Sequence, residues 1–205
     1  MTNYFDTAAQ TWDENKKHIH RTEAIVRDLT PLIANKNYQT ALEFGAGTGL
    51  LSIALQKHFT EMTLMDSSIE MINTMIEKLA VADIHHLHPL FFDLEKNDYS
   101  AKTFDVIYSQ MALNHVIDIE KIMSKFYKLL NTNGLLAIAD LYEEDGTFHD
   151  RAFDGHLGFN PDSLVQILIK QGFKQVEFKQ SFEMQKENAD KTIKKYPIFL
   201  LTAVK

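Results

Sequence analysis

The chain has 205 residues, a formal net charge of −7 at pH 7, 45% hydrophobic and 24% charged residues, and no cysteine. That size and composition suit one domain with a buried core, and the acidic balance argues against nucleic acid or an anionic membrane as partner. The absence of cysteine excludes disulfides, thiolate nucleophiles and Cys–zinc sites; no apolar run reaches membrane-spanning length and no signal-peptide pattern opens the chain, so a cytoplasmic protein is expected.

Residues 1–16 are polar and aromatic with helical flavour. Tyr4, Phe5 and Trp12 stand there either to pack on the core or to form a lid. From residue 18 to 34, Ile25, Val26, Leu29, Leu32 and Ile33 recur at helix spacing. Residues 40–44 read as a buried strand. The cluster Gly45, Gly47 and Gly49 follows it, then an apolar helix running to about His58. A second strand ends at Asp66, and a helix follows with Ile72, Met75, Ile76 and Leu79 on one face. Residues 87–92 form a third strand closed by Asp93, and FDVIYS at 104–109 a fourth. A helix over 117–130 leads through the Asn133-Gly134 turn signal to an apolar fifth strand at 135–141.

Residues 145–158 form a polar loop rich in His, Asp and Gly. Asn160 and Pro161 start a helix that Gly172 stops. Two strands, 176–182 and 196–204, finish the chain, joined by a charged connection over 183–195. Alternating strands and helices predict an α/β fold, a mainly parallel sheet covered by helices on both faces. The last two strands are expected to form an antiparallel hairpin at the sheet edge. The division reads as a helical lid (1–36), a ligand-binding core (37–142) and a C-terminal helix and hairpin (143–205), all one domain.

The strand–glycine–helix segment TALEFGAGTGLLSIAL at 40–55 brings backbone N–H groups close to a ligand. A triphosphate loop needs a Lys-Ser/Thr pair at the helix start, and here Leu50, Leu51 and Ser52 follow Gly49. A dinucleotide fingerprint wants a small residue where Leu50 stands. S-adenosylmethionine is the third reading.

At this point the sequence resembles the class I S-adenosylmethionine-dependent methyltransferases, close to the small bacterial type of ubiquinone and menaquinone biosynthesis. The matching residues are Glu43-Phe44-Gly45-Ala46-Gly47-Thr48-Gly49, Asp66-Ser67-Ser68-Ile69-Glu70-Met71, Asp93-Leu94, the fourth strand with the segment from Met111 to Val116, and Leu130 to Leu135. They fall in order at strand ends over residues 40 to 141. The resemblance implies a Rossmann-like, doubly wound, seven-stranded, mostly parallel sheet with an antiparallel C-terminal hairpin, and S-adenosylmethionine as cofactor. It implies Asp66 and Ser67 on the ribose, Asp93 and Leu94 on the adenine, and Glu43 with Gly45, Ala46, Gly47 and Gly49 around the methionine part. Met71, Ser109 and Trp12 complete the expected cofactor contacts, with Met111 and Ala112 as wall beside the sulfonium. Strand-end placement supports this, since open α/β sheets bind ligands there.

Methyl transfer is largely a positioning problem, so a base is needed only where the acceptor must lose a proton. His115, after the fourth strand, is the candidate base. Tyr142, His149, His156 and Phe159 are candidate contacts to the acceptor. The acceptor is expected to be a small molecule under a roof of Tyr4, Phe5, Trp12, His18 and the 145–159 loop. No metal is expected, although His149, Asp150, Asp154 and His156 form a spacing that could hold one. The alternative is a non-catalytic binder of S-adenosylmethionine or adenosine on the same fold. A monomer or homodimer would serve either reading.

Overall fold

In the computed structural model, residues 4–149, 153–187 and 191–205 are described. Seven strands form one sheet in the order β3-β2-β1-β4-β5-β7-β6. They are β1 (Thr40–Phe44), β2 (Glu61–Asp66), β3 (Leu87–Phe91), β4 (Phe104–Gln110), β5 (Leu130–Leu141), β6 (Lys174–Glu187) and β7 (Ile193–Val204). β3, β2, β1, β4 and β5 run parallel, while β7 lies antiparallel to both β5 and β6.

The helices are α1 (Tyr4–Ala8), α2 (Lys16–Ile33), α3 (Leu50–Leu55), α4 (Ile69–Val81), α5 (Ile119–Leu129) and α6 (Pro161–Gln171). Each longer helix starts where a side-chain oxygen takes up an otherwise unpaired backbone N–H. Asn15 accepts from Lys17, Ser68 from Met71, Asp118 from Lys121 and Asn160 from Asp162.

Strand alternation sends successive side chains to opposite faces. Ala41, Val106, Tyr108, Ala137 and Ala139 face α2, α3 and α4, where Ile25, Leu29, Leu51, Leu55, Met75 and Leu79 complete one core. Leu42, Ile107, Leu136 and Ile138 face α5 and α6, where Met123, Phe126, Leu164 and Leu168 complete the other. Two buried layers explain the continuous apolar runs of β1 and β5. Strand order reverses direction between β1 and β4, which opens a crevice at their C-terminal ends.

Two expectations need correction. The charged 183–195 segment is mostly strand, because β6 continues to Glu187 and β7 begins at Ile193, with Glu183, Gln185 and Lys186 paired to Pro197, Lys195 and Lys194. This edge ladder has a solvated face, so alternation of charge rather than apolarity marks it. β5 also starts earlier, at Leu130, and the Asn133-Gly134 turn sits within it as an irregularity opposite Phe104 and Val106. Among the described residues, no helix is long and apolar enough to cross a membrane.

Candidate active site

The crevice holds a cavity of about 290 Å³ whose floor is the loop after β1. That loop is pinned to β2: the Gly45 and Ala46 N–H groups both donate to the Met65 carbonyl, at 2.9 and 3.0 Å. Gly47 N–H donates to Asp66 Oδ2 at 2.7 Å, and Ser68 N–H to Asp66 Oδ1 at 2.8 Å. Asp66 therefore organises both the glycine loop and the start of α4. Burial raises its pKa, against these hydrogen bonds, and Asp6 adds to the rise. Gly45 has φ +68°, and a Cβ there would lie 2.3 Å from Ala112 Cβ. Only glycine lets this loop touch the segment after β4.

Glu43 lines the inner end of the cavity at 2% exposure. Its Oε2 accepts from Ser52 N–H at 3.1 Å and, in a very short contact, from Ser52 Oγ, which meets Tyr108 Oη at 2.6 Å. Burial pushes the Glu43 carboxyl up to about 8, so the apoprotein holds a proton there at neutral pH. At the outer end, Asp93 Oδ1 accepts from the Glu95 and Lys96 N–H groups, and Oδ2 pairs with Lys96 Nζ at 2.7 Å. Against the pull of burial, Lys96 and these hydrogen bonds hold the Asp93 carboxyl below the usual range. Lys125 of α5 fixes the same turn, its Nζ donating to the carbonyls of Leu94 and Asn97 at 2.7 Å each.

The N-terminal segment lies over this floor. Ser68 Oγ donates to Asp6, Thr48 Oγ1 to Asp13 Oδ1, and Lys78 pairs with the other Asp13 oxygen. These contacts bring Phe5 and Trp12 to the cavity wall. Trp12 packs against His18 with ring planes tilted by 33° at a centroid distance of 4.2 Å, and its carbonyl accepts from His18 Nδ1 at 3.0 Å. Burial lowers His18 to about 4, with Arg21 adding to the drop, so the ring is neutral.

A second cavity of about 270 Å³ adjoins the first. Phe5, Trp12, Arg21, Met111 and His115 line both. Met111 takes φ +54°, a strained conformation for a side-chain-bearing residue, and is held there by its N–H bond to the Ala139 carbonyl. His115 stands edge-on to Phe5 at 4.9 Å and to Phe153 at 5.0 Å. Tyr4, His18, Phe148, His149 and Met184 come from the N-terminal segment and α2, the loop after β5, and β6.

Of the expected cofactor contacts, Glu43, Gly45, Ala46, Gly47, Asp66, Ser67, Met71, Asp93, Leu94 and Trp12 line the first cavity. Gly49 and Ser109 do not. Gly49 faces the core: a Cβ there would meet Leu64 and Met75 at 3.2 Å, and φ +81° starts α3. Ser109 is buried within β4, with an unpartnered Oγ. Of the expected acceptor contacts, His149 lines the second cavity. Tyr142, His156 and Phe159 line neither cavity. Tyr142 packs on Phe199 at 5.4 Å, and Phe159 is buried beneath His156 in the α5–α6 core. Backbone hydrogen bonding draws them there, since Phe159 N–H donates to the Leu141 carbonyl and His156 N–H to that of Asn114. Asp150, one of the four in the metal spacing, lies outside the described residues; among those described, no group of three or more His, Asp and Glu converges.

Arg21 and Asn114 escaped sequence reasoning. Arg21 stands on the apolar stripe of α2, four residues before Ile25 and eight before Leu29. A charge on a buried stripe is the signal that could have found it. Asn114 carries no such signal.

The profile of the family described as "Methyltransferase domain" matches residues 17–177. An uncharacterized methyltransferase of Schizosaccharomyces pombe is 28% identical over 148 residues, covering 64% of this chain and 52% of that protein. A trans-aconitate 2-methyltransferase of Deinococcus radiodurans is 28% identical over 143 residues, covering 68% and 53%. The chain thus spans about half the length of these curated relatives. Among solved structures, the putative methyltransferase complexed with the Trm112 activator of Haloferax volcanii superposes with a TM-score of 0.79 at 16% identity, covering 100% of this chain and 98% of that one. The cavity's own chemistry fits S-adenosylmethionine: carboxyl groups at both ends, an aromatic wall, and a glycine cradle without a phosphate-binding lysine. The chain belongs to the methyltransferase-domain family, the class I S-adenosylmethionine-dependent methyltransferases.

Proposed function

We propose that this chain transfers a methyl group from S-adenosylmethionine to a small-molecule acceptor held in the second cavity. The observation that carries the reading is the junction: two cavities of similar size meet at Phe5, Trp12, Arg21, Met111 and His115. One is suited to the cofactor, and the other is closed over by the lid and the loop after β5, on a scale that fits a metabolite.

In this reading Asp66 and Ser67 hold the ribose, Asp93 and Leu94 the adenine, and Glu43 with residues 45–47 the methionine part. The cofactor supplies an electrophilic methyl carbon on a sulfonium. The chain's own contribution is alignment and exclusion of water. Phe5 and Trp12 roof the junction. Met111 and Ala112 form its wall, fixed by the close contact with the glycine loop. His115 is placed to accept a proton from an acceptor hydroxyl or amine, where one must leave. The N-terminal segment acts as the lid over the binding core, and residues 143–205 complete the acceptor side.

The test is incubation with methyl-labelled S-adenosylmethionine and a fractionated metabolite extract. Label appearing in a small molecule, dependent on the protein, is expected. Tight cofactor binding with no transferred label across all fractions would refute methyl transfer and leave a non-catalytic binder.

A further inference from the structure

Two polar side chains at the second cavity carry buried atoms with no hydrogen-bond partner among the described residues. Arg21 is 5% exposed, and its Nε has no hydrogen-bond partner. Asn114 is 1% exposed, and neither Nδ2 nor Oδ1 has one. Buried polar groups are nearly always satisfied, and leaving one unpaired costs on the order of 1–3 kcal/mol, more for a charge. Two such residues on one cavity wall mark the place where a ligand completes the bonding.

Asp140 is the internal acid that Arg21 feels electrostatically, and its oxygens are engaged by the backbone. Its Oδ1 accepts from Leu141 N–H at 2.8 Å and its Oδ2 from Asn114 N–H at 3.2 Å. The two side chains influence one another electrostatically without forming an ion pair. The guanidinium fork is therefore left for an incoming anion. Around it the described lining of the second cavity carries Lys17 and Lys186, the imidazoles of His18, His115 and His149, and no carboxylate, on a protein whose net charge is −7. Lys186 is tethered by the carbonyls of Thr147 and Phe148, which holds its charge at the rim.

We propose that the acceptor bears a carboxylate, recognised by the Arg21 guanidinium together with the Asn114 amide. A planar carboxylate matches the guanidinium fork with two parallel hydrogen bonds. Asn114 Nδ2 supplies a further donor, and its Oδ1 remains for a hydroxyl or amide on the same molecule. The inference rests on the second cavity being the acceptor site. Arg21 also borders the cofactor cavity, so the cofactor's own carboxylate is the competing source of the same chemistry. Asn114 lines only the second cavity and favours the acceptor.

The test uses full-length protein saturated with S-adenosylhomocysteine and follows Trp12, the single tryptophan, which lines both cavities. Succinate, glutarate, benzoate, phenylacetate and cinnamate are titrated beside their neutral amides. At least one acid is expected to give a saturable response at least about 10-fold tighter than its amide, the range of a charge-assisted hydrogen bond. Asn114→Leu should weaken that acid about 5- to 10-fold and leave S-adenosylhomocysteine affinity unchanged. Arg21→Met should abolish the preference for acid over amide, and Arg21→Lys should keep part of it. Thermal melts identify any variant that fails to fold, and Asn114→Leu keeps the test open if Arg21→Met is one.

Acids and amides binding alike, or not at all, to a protein that binds S-adenosylhomocysteine would overturn the inference alone. Failure to bind S-adenosylhomocysteine would instead overturn the proposed function. If Arg21→Met weakens S-adenosylhomocysteine but not methylthioadenosine, which lacks the amino acid part, while the acid preference survives, Arg21 serves the cofactor and the inference fails.

Discussion

Replacing Gly45 with alanine tests whether the glycine loop is shaped by contact with the segment after β4. The added Cβ would sit 2.3 Å from Ala112 Cβ, more than 1 Å inside the ~3.5 Å optimum for two carbons. Position 45 also has φ +68°, which costs an L-residue roughly 1–2 kcal/mol. Relief of the clash by backbone movement costs about 1–3 kcal/mol more, and the smaller entropy of the unfolded alanine chain returns about 0.4–1 kcal/mol. The net loss is about 1–4.5 kcal/mol, which lowers the melting temperature by roughly 2–18 °C in a chain of this length. Because Gly45 and Ala112 both line the cavity, affinity for S-adenosylhomocysteine should fall as well. The second variant is Ala112→Gly. In the double variant the next atom, Ala112 Cα, is 3.7 Å from the new Cβ, so the clash vanishes and the φ cost remains. A thermal double-mutant cycle should therefore return a coupling of about 1–3 kcal/mol in favour of the double variant. Gly45→Ala melting with the wild type, or failing to recover any stability with Ala112→Gly, would refute the contact.

Burial holds Glu43 up to about 8 and Asp140 up to about 7, so the folded protein keeps protons that the unfolded chain has already released. Stability should fall as pH rises from near 4.5 through 8 and level off above; Glu43→Gln should flatten that slope, and urea midpoints that keep the wild-type pH dependence would contradict the assignment. If the cofactor's ammonium ionises Glu43, binding at pH 7 releases protons, which calorimetry in buffers of different ionisation enthalpy detects; no buffer dependence would exclude it. Asp66→Ala removes the acceptor of both Gly47 and Ser68 N–H groups and should weaken S-adenosylhomocysteine at least about 10-fold, with wild-type affinity as the refuting result. His115→Ala should lower turnover more than cofactor affinity if the ring takes a proton; an equal loss of both would mark it as packing between Phe5 and Phe153.

Much of the fold was legible because local and long-range requirements agree in this chain. β1 was placed at its observed bounds since an apolar run met a glycine cluster, and α6 since Asn160, Pro161 and Gly172 supply cap, first turn and stop. The β6–β7 ladder was underestimated because an edge hairpin buries little, so Glu183 to Glu187 carry the composition of a loop while hydrogen bonding as a strand. Backbone pairing, which sequence pattern sees only through burial, decided the outcome there.

The lining of the first cavity was legible for a related reason. Its residues stand at strand ends whose order in the sequence is their order around the crevice, so Glu43, Asp66 and Asp93 could be placed from strand ends alone. The second cavity is assembled differently. Arg21 comes from α2, Asn114 from the turn after β4, His149 from the loop after β5 and Lys186 from the edge strand, and no sequence spacing links them. Tyr142, His156 and Phe159 were expected there because they follow β5, yet pairing of 141–144 with 157–159, and of His156 with Asn114, carries them away from that cavity. The one local trace of the second cavity was an arginine on the apolar stripe of α2. A charge on such a stripe is tolerated only where something answers it, and no described residue around Arg21 pairs with its Nε. That is why the same side chain that sequence reasoning passed over now bears most directly on the proposed acceptor.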